Sequence, residues 1–299
     1  MRLEKLSEIL ERARARESRR LVVAAAEDLH VLQAVLRARS ENIIKPLLVG
    51  DTSKILALSK EHKLDLEDIP LIDEKDPARS CVIATELIRS DEADILMKGH
   101  VSTTPLLKAV LDKEKGLRKS DVLSHAALFE IRAYHKLLAI TDAAMNVAPG
   151  VSEKTSIIEN AVEIFHRLGI MDPKVAVLAP VETVNPKIQS TVDADELKKL
   201  NKSGSIKGCL IDGPLAMDIA VSSEAKEHKE ISGSVAGDPD ILLTPDLNCG
   251  NILYKSLIFL GGSTSASVIM GAQVPIVLTS RSDSEQSKLM SIALASALD

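Results

Sequence analysis

Aromatic side chains make up only 2% of this 299-residue chain, and tryptophan is absent. Proteins that hold single-stranded nucleic acid stack its bases on aromatic platforms and neutralise its phosphates with surplus basic residues. A formal net charge of −6 supplies no such surplus, so nucleic acid is not an expected partner. It does not exclude small anions, because a local cluster of donors overrides the global sign. Cysteine is equally sparse. Cys81, Cys209 and Cys249 are odd in number and far apart, which suits neither a disulfide framework nor a zinc site, and no bound metal is expected. No apolar stretch reaches the ~18 residues that a membrane span needs, since Gln273, Pro275 or charges interrupt each one. The first twenty residues, MRLEKLSEILERARARESRR, form a charged amphipathic pattern and not the apolar core of a signal peptide. A cytoplasmic protein with no membrane contact is therefore expected. Neither GxGxxG nor GxxxxGK[ST] occurs, which disfavours nicotinamide or ATP sites of the common type.

What is present is an alternation. Apolar runs rich in β-branched residues and leucine read as strands: LVVAAA (21–26), KPLLVG (45–50), DILMKG (94–99), KLLAITD (136–142), KVAVLAP (174–180), GCLIDG (208–213), DILLTPD (240–246), ASVIMG (266–271) and PIVLTS (275–280). Helical patterns lie between most of them, including Asp28–Ser40, Asp76–Glu92, Glu153–Leu168 and Asp283–Ala297. Such alternation implies an α/β protein with mostly parallel sheets covered by helices. AALFEI (126–131) and KLLAITD are joined by only four residues, which suits an antiparallel hairpin. Asn146, Pro149 and Gly150 punctuate the chain before a new helix. The expected organisation is a first domain of residues 1–145 plus 273–299, with residues 146–272 inserted as a second.

Ligands of open α/β sheets sit where strands end at their carboxyl edge and helices begin. Four segments place polar chemistry at such points. The most informative is VAGDPDILLTPDLNCGNILY (235–254), where a short apolar run ends in Asp246, Asn248, Gly250 and Asn251 before a helix. The second is Lys98-Gly99-His100-Val101-Ser102-Thr103-Thr104. Pro105 pre-organises a first helical turn there and Thr103 or Thr104 is placed to cap it, so a plain helix start and an anion cradle both account for the residues. The third is a set of strand-end carboxylates, Asp142, Asp212 and Asp246, each also explicable as a turn or cap residue. The fourth is Thr279-Ser280-Arg281-Ser282-Asp283-Ser284, where a guanidinium at a helix start suits an anionic partner, although a Ser/Asp-capped helix with a solvated arginine also accounts for the residues. Ser124 and His125 are adjacent on a strand and point to opposite faces, which argues against a dyad and for His125 as a structural or substrate-orienting residue. Cys249 has no nearby base in sequence and reads as a small residue at a helix start.

Taken together, MKGHVSTTPLLKAVLDKEKGLR, LSHAALFEI, ITDAAMNVAP, IKGCLIDGPLAMDIAV, SVAGDPDILLTPDLNCGNILYKSL and VPIVLTSRSDS resemble the phosphate acetyltransferase/butyryltransferase family, nearer its butyryl branch. The resemblance implies a two-domain fold similar to isocitrate and isopropylmalate dehydrogenases, with the site in an interdomain cleft. It implies reversible transfer of a butyryl or branched short acyl group between coenzyme A and phosphate, by a homo-oligomer with no bound cofactor. On the family's pattern Ser280 would hydrogen-bond the tetrahedral centre and Arg281 would hold phosphate. Lys98, Gly99, Ser102 and Thr103 would line the phosphate or coenzyme A pocket. Asn248, Gly250 and Asn251 would form the opposite wall, with His125, Asp142 and Asp246 nearby. The acetyl branch places its base aspartate two turns beyond the serine; this chain has Ser287 there and offers Asp283 instead. Transfer from acetyl-CoA, a non-catalytic sensor of acyl-CoA or acyl phosphate, and a metal- and NAD-dependent decarboxylating dehydrogenase of the same general fold are the competing readings.

Overall fold

The computed structural model describes residues 2–279 and 283–298. In chain order the elements begin α1 (Leu6–Arg14), β1 (Arg19–Ala24), α2 (Leu29–Ser40), β2 (Ile44–Gly50), α3 (Thr52–His62), β3 (Leu71–Asp73), α4 (Pro77–Arg89), β4 (Ile95–Lys98) and α5 (Thr103–Val110). They continue β5 (Ser124–Glu130), β6 (Leu138–Thr141), α6 (Val151–Arg167), β7 (Lys174–Leu178), α7 (Gln189–Lys202), β8 (Leu210–Leu215), α8 (Met217–Val221) and α9 (Ser223–His228). The last are β9 (Ile241–Leu243), α10 (Leu247–Phe259), β10 (Thr264–Met270), β11 (Ile276–Val277) and α11 (Glu285–Ala297). The chain separates into two compact units, one of residues 7–121 and 266–299, the other of residues 1–6 and 122–265.

In the first of these units the strand order is β3-β2-β1-β4-β11-β10, parallel except where β10 meets β11. The strands are apolar because helices cover them: Leu21 to Ala26 are all inaccessible to solvent. From β1 the chain moves outward through β2 and β3, then returns to place β4 on the other side of β1. That reversal leaves a crevice at the carboxyl ends of β1 and β4. Helix starts are set by side-chain caps. Asp28 Oδ1 accepts from the Val31 amide at 3.0 Å and Asp51 Oδ1 from Lys54 at 3.2 Å. No sequence pattern marks the three-residue β3; pairing with β2 holds it.

In the second unit the order is β5-β6-β9-β7-β8. β5 and β6 form the expected antiparallel hairpin and the other pairs are parallel. Its core gathers Phe129, Leu138, Ile140, Leu178, Leu215, Ile219 and Leu242. After β8 the chain returns to insert β9 between β6 and β7, so a second reversal lies at the carboxyl ends of β7 and β9. The turn-rich segment around Asn146 and Gly150 lies within this unit, where Gly150 and Glu153 form the start of α6.

Candidate functional site

In the unit built on β1 and β4, the segment after β4 is locked against the loop that follows β1. The Gly99 amide donates to Ala24 O at 2.9 Å and the His100 amide to Ala25 O at 2.6 Å, while Ala25 takes a left-handed φ of 56°. A Cβ on Gly99 would lie 2.1 Å from Ala25 O, so only glycine allows this approach. Lys98 is buried, and its ammonium donates to Gly99 O at 3.2 Å and Val101 O at 3.1 Å. It therefore braces the loop from beneath. Ser102, not either threonine, takes the N-cap position of α5 and makes no side-chain cap bond; Pro105 follows as the third helical residue. The first-turn amides of α5 and the hydroxyls of Ser102 and Thr103 remain at the surface of the crevice, with the positive end of the helix dipole behind them.

At the entry to α11, Ser284 caps the helix by accepting from the Ser287 amide at 3.1 Å. Lys288, 2% exposed, reaches back from the first turn and donates to Asp283 O at 2.6 Å. Burial lowers its pKa below the ordinary lysine value, partly offset by Asp283 and Asp28. Ser280 and Arg281, the central catalytic candidates, lie outside the described residues.

In the other unit, Asp142, Asp246, Gly250 and Asn251 are brought together at the ends of β6 and β9. Thr244 Oγ1 donates toward Asp142 O at 3.1 Å, and Asn251 Nδ2 donates to Ala143 O at 3.2 Å. Asp142 organises its own turn, accepting from the amides of Ala144 and Met145 at 2.8 and 2.9 Å and from Asn146 Nδ2 at 2.6 Å. Asp246 caps α10 through the Cys249 amide at 2.9 Å. Asn248 is exposed on the first turn of α10. His125 is buried, its ring edge-on to Tyr254 at 5.7 Å. Asp212 does not join the strand-end acids. It lies inside β8, which runs on to Leu215, and pairs with Lys198 at 2.5 Å. The Cys249 thiol is pushed up by burial and by Asp246, which weakens it as a nucleophile.

The carboxyl ends of β7 and β9 open into a cavity of about 1030 Å³ between α6, α7 and α10. On its wall, Lys154 and Asp193 form a buried ion pair of 2.6 Å, and Gln189 Nε2 donates to the other carboxylate oxygen at 2.7 Å. Lys154, Asp193 and Lys288 are not among the residues that the sequence singles out. A lysine in the buried stripe of a helix, three and four positions before Ile157 and Ile158, was the available signal for the first.

A sequence profile described as phosphate acetyl/butaryl transferase matches residues 5–80 and 77–296. The chain belongs to this family. It is 44% identical over 288 residues to a phosphate butyryltransferase of Clostridium beijerinckii, covering 96% of this chain and 95% of that one. It is 41% identical to a phosphate acetyltransferase of Thermotoga maritima, covering 97% and 98%. A branched-chain phosphotransacylase from Enterococcus faecalis superposes with a TM-score of 0.81 at 34% identity, covering 93% and 98%. A 4-hydroxythreonine-4-phosphate dehydrogenase from Salmonella typhimurium shares the fold, with a TM-score of 0.58 at 16% identity, covering 94% of this chain and 100% of that chain. The family membership and the mixed α/β, dehydrogenase-like fold expected from the sequence are thus both found. Among the described residues, no group of three or more His, Cys, Asp or Glu is placed to hold a metal ion, and no helix is long and apolar enough to cross a membrane.

Proposed function

We propose that this phosphate acetyl/butaryl transferase family member moves a butyryl or branched short acyl group reversibly between coenzyme A and inorganic phosphate. A phosphate oxygen forms a bond to the acyl carbon, the carbon–sulfur bond breaks, and the proton lost by phosphate ends on the coenzyme A thiol. The observation that carries this reading is 41% and 44% identity to two clostridial phosphate butyryltransferases over nearly the whole of both chains. The loop at the start of α5 supports it, because its uncapped helix start suits anionic or polarised oxygen.

In this reading Ser280 donates to the developing oxyanion, Arg281 holds phosphate, and Asp283 relays the proton between thiol and phosphate. Lys98, Gly99, Ser102 and Thr103 bind phosphate or coenzyme A. Asn248, Gly250 and Asn251 contribute a further wall, with His125, Asp142 and Asp246 holding it in place. No tightly bound cofactor takes part; coenzyme A and phosphate are substrates. The enzyme works in the cytoplasm, as three free cysteines suit, and as a homo-oligomer, for which Phe259 and Leu260 (63% and 87% exposed) offer apolar surface.

The test is phosphate-dependent release of coenzyme A from butyryl-CoA, followed with a thiol reagent. Absence of release with every acyl chain from two to five carbons refutes the proposal. The 41% identity to an acetyl enzyme supports acetyl-CoA as the alternative donor. A rate profile over the same chain lengths separates the two, since each methylene is worth about 1–3 kcal/mol of discrimination.

A further inference from the structure

The cavity at the ends of β7 and β9 has a wall that is unusual in its charge. Leu178, Pro180, Met217 and Leu253 make much of it apolar, and Gln189 and Ser190 add neutral polar groups. Its charged side chains are Lys154, Asp193 and Asp246. The first two cancel, leaving the wall without positive excess, so it disfavours a phosphoryl or nucleotide diphosphate group.

One group on this wall is incompletely used. An ammonium carries three donors. Lys154 Nζ gives one to Asp193 Oδ2 at 2.6 Å and has no other side-chain partner among the described residues, although Lys154 is only 4% exposed. Buried donors are normally satisfied, and an incompletely used ammonium on the wall of a substrate-sized space marks a place for an acceptor. The acceptor must be uncharged or weakly charged on the grounds above, and its carrier must suit apolar walls. About 1030 Å³ is at the upper end for a small-molecule site and far more than a four-carbon acyl group fills.

Building on the acyl-transfer reading, we propose that this cavity receives the uncharged, amide-bearing pantetheine arm of the acyl-CoA, with Lys154 Nζ donating to one of its amide carbonyls. The nucleotide phosphates of coenzyme A bind outside it. Asp193 keeps the ammonium oriented, and Gln189 keeps Asp193 in place.

The experiment measures Kd by calorimetry for coenzyme A, for pantetheine and for adenosine 3′,5′-bisphosphate, which lacks the arm. The proteins are wild type, Lys154→Met/Asp193→Leu and Met217→Trp. The double variant is used because removing Lys154 alone strands a buried carboxylate, and Met217→Trp fills the cavity without touching the pair. With thermal melts confirming folding, both variants are expected to weaken coenzyme A and pantetheine binding by about tenfold or more, the worth of a charge-assisted bond. Adenosine 3′,5′-bisphosphate should bind all three within about twofold. Equal loss for coenzyme A and the bisphosphate, or unchanged coenzyme A affinity in both variants, overturns the assignment. Wild type that binds pantetheine but releases no coenzyme A with phosphate refutes acyl transfer and keeps the cavity assignment. Wild type that binds neither coenzyme A nor pantetheine overturns both.

Discussion

Replacing Gly250 by alanine asks the first turn of α10 to accept a methyl group where the backbone of Asp142 already lies. A Cβ built there falls 2.1 Å from Asp142 O, 2.9 Å from its carbonyl carbon and 2.9 Å from Thr244 Oγ1. Comfortable contact is about 3.5 Å or more, so α10 or the end of β6 must retreat by more than about 1 Å. Overpacking of this kind costs about 1–3 kcal/mol, and more when the obstacle is backbone, while alanine's helix preference returns about 1 kcal/mol at most. The net loss should be about 1–3 kcal/mol. For a unit of this size that lowers Tm by about 3–10 °C, readable by calorimetry or dye-binding melts. Gly150→Ala is the control. Its added Cβ would meet only Glu153 Oε2 at 3.9 Å, and its φ is −78°, so a loss of no more than about 1 kcal/mol of cap preference is expected. The displacement also carries Asn248 and Asn251 with it, so residual activity of Gly250→Ala should fall further than its folded fraction. A Gly250→Ala protein that melts within about 1 °C of wild type would show that the close approach of α10 to Asp142 is wrong.

Arg281→Ala should raise the KM for phosphate at least about tenfold or abolish turnover, with the KM for acyl-CoA nearly unchanged; an unaltered phosphate response removes Arg281 from the site. Cys249→Ala should keep kcat, and iodoacetamide should modify wild-type Cys249 with a midpoint above pH 9.0, because burial and Asp246 raise its thiol pKa. Cys81 and Cys209, each pushed up to about 11 chiefly by burial, should react only on unfolding. Lys288 gives a pH test. Its folded pKa lies below the unfolded value of 10.5, so the folded state binds fewer protons than the unfolded state between those two pKa values. Wild-type stability should therefore rise relative to Lys288→Met as pH climbs through that window, and a stability difference independent of pH would contradict the burial of this ammonium.

Much of the architecture is written locally. LVVAAA followed by Asp28 specifies a buried strand and a capped helix using only neighbours in sequence, and the four-residue link between β5 and β6 leaves a hairpin as the short path. The same holds for the acids at 142 and 246, whose turn and cap roles depend on amides within a few residues. Family membership was legible for a related reason, since strand-end loops such as TPDLNCGN carry constraints from both chemistry and backbone.

Other features depend on which strands become neighbours. β3 has only three residues and exists because β2 offers it an edge. Asp212 looked like a strand end because GCLI ends before it, yet pairing with β7 carries β8 on to Leu215. Lys98 reads as lining an anion pocket, and only the fold shows that its ammonium also donates to two carbonyls of its own loop. Lys154 and Asp193 stand 39 positions apart on two helices, and no local pattern announces that they meet. The sequence alone determined most of the elements, the Asp28 and Asp246 caps and the family, because those rest on contacts a few residues long. Only the tertiary structure decided the strand order, the cavity and the charge on its wall, because each arises where distant segments exclude water together.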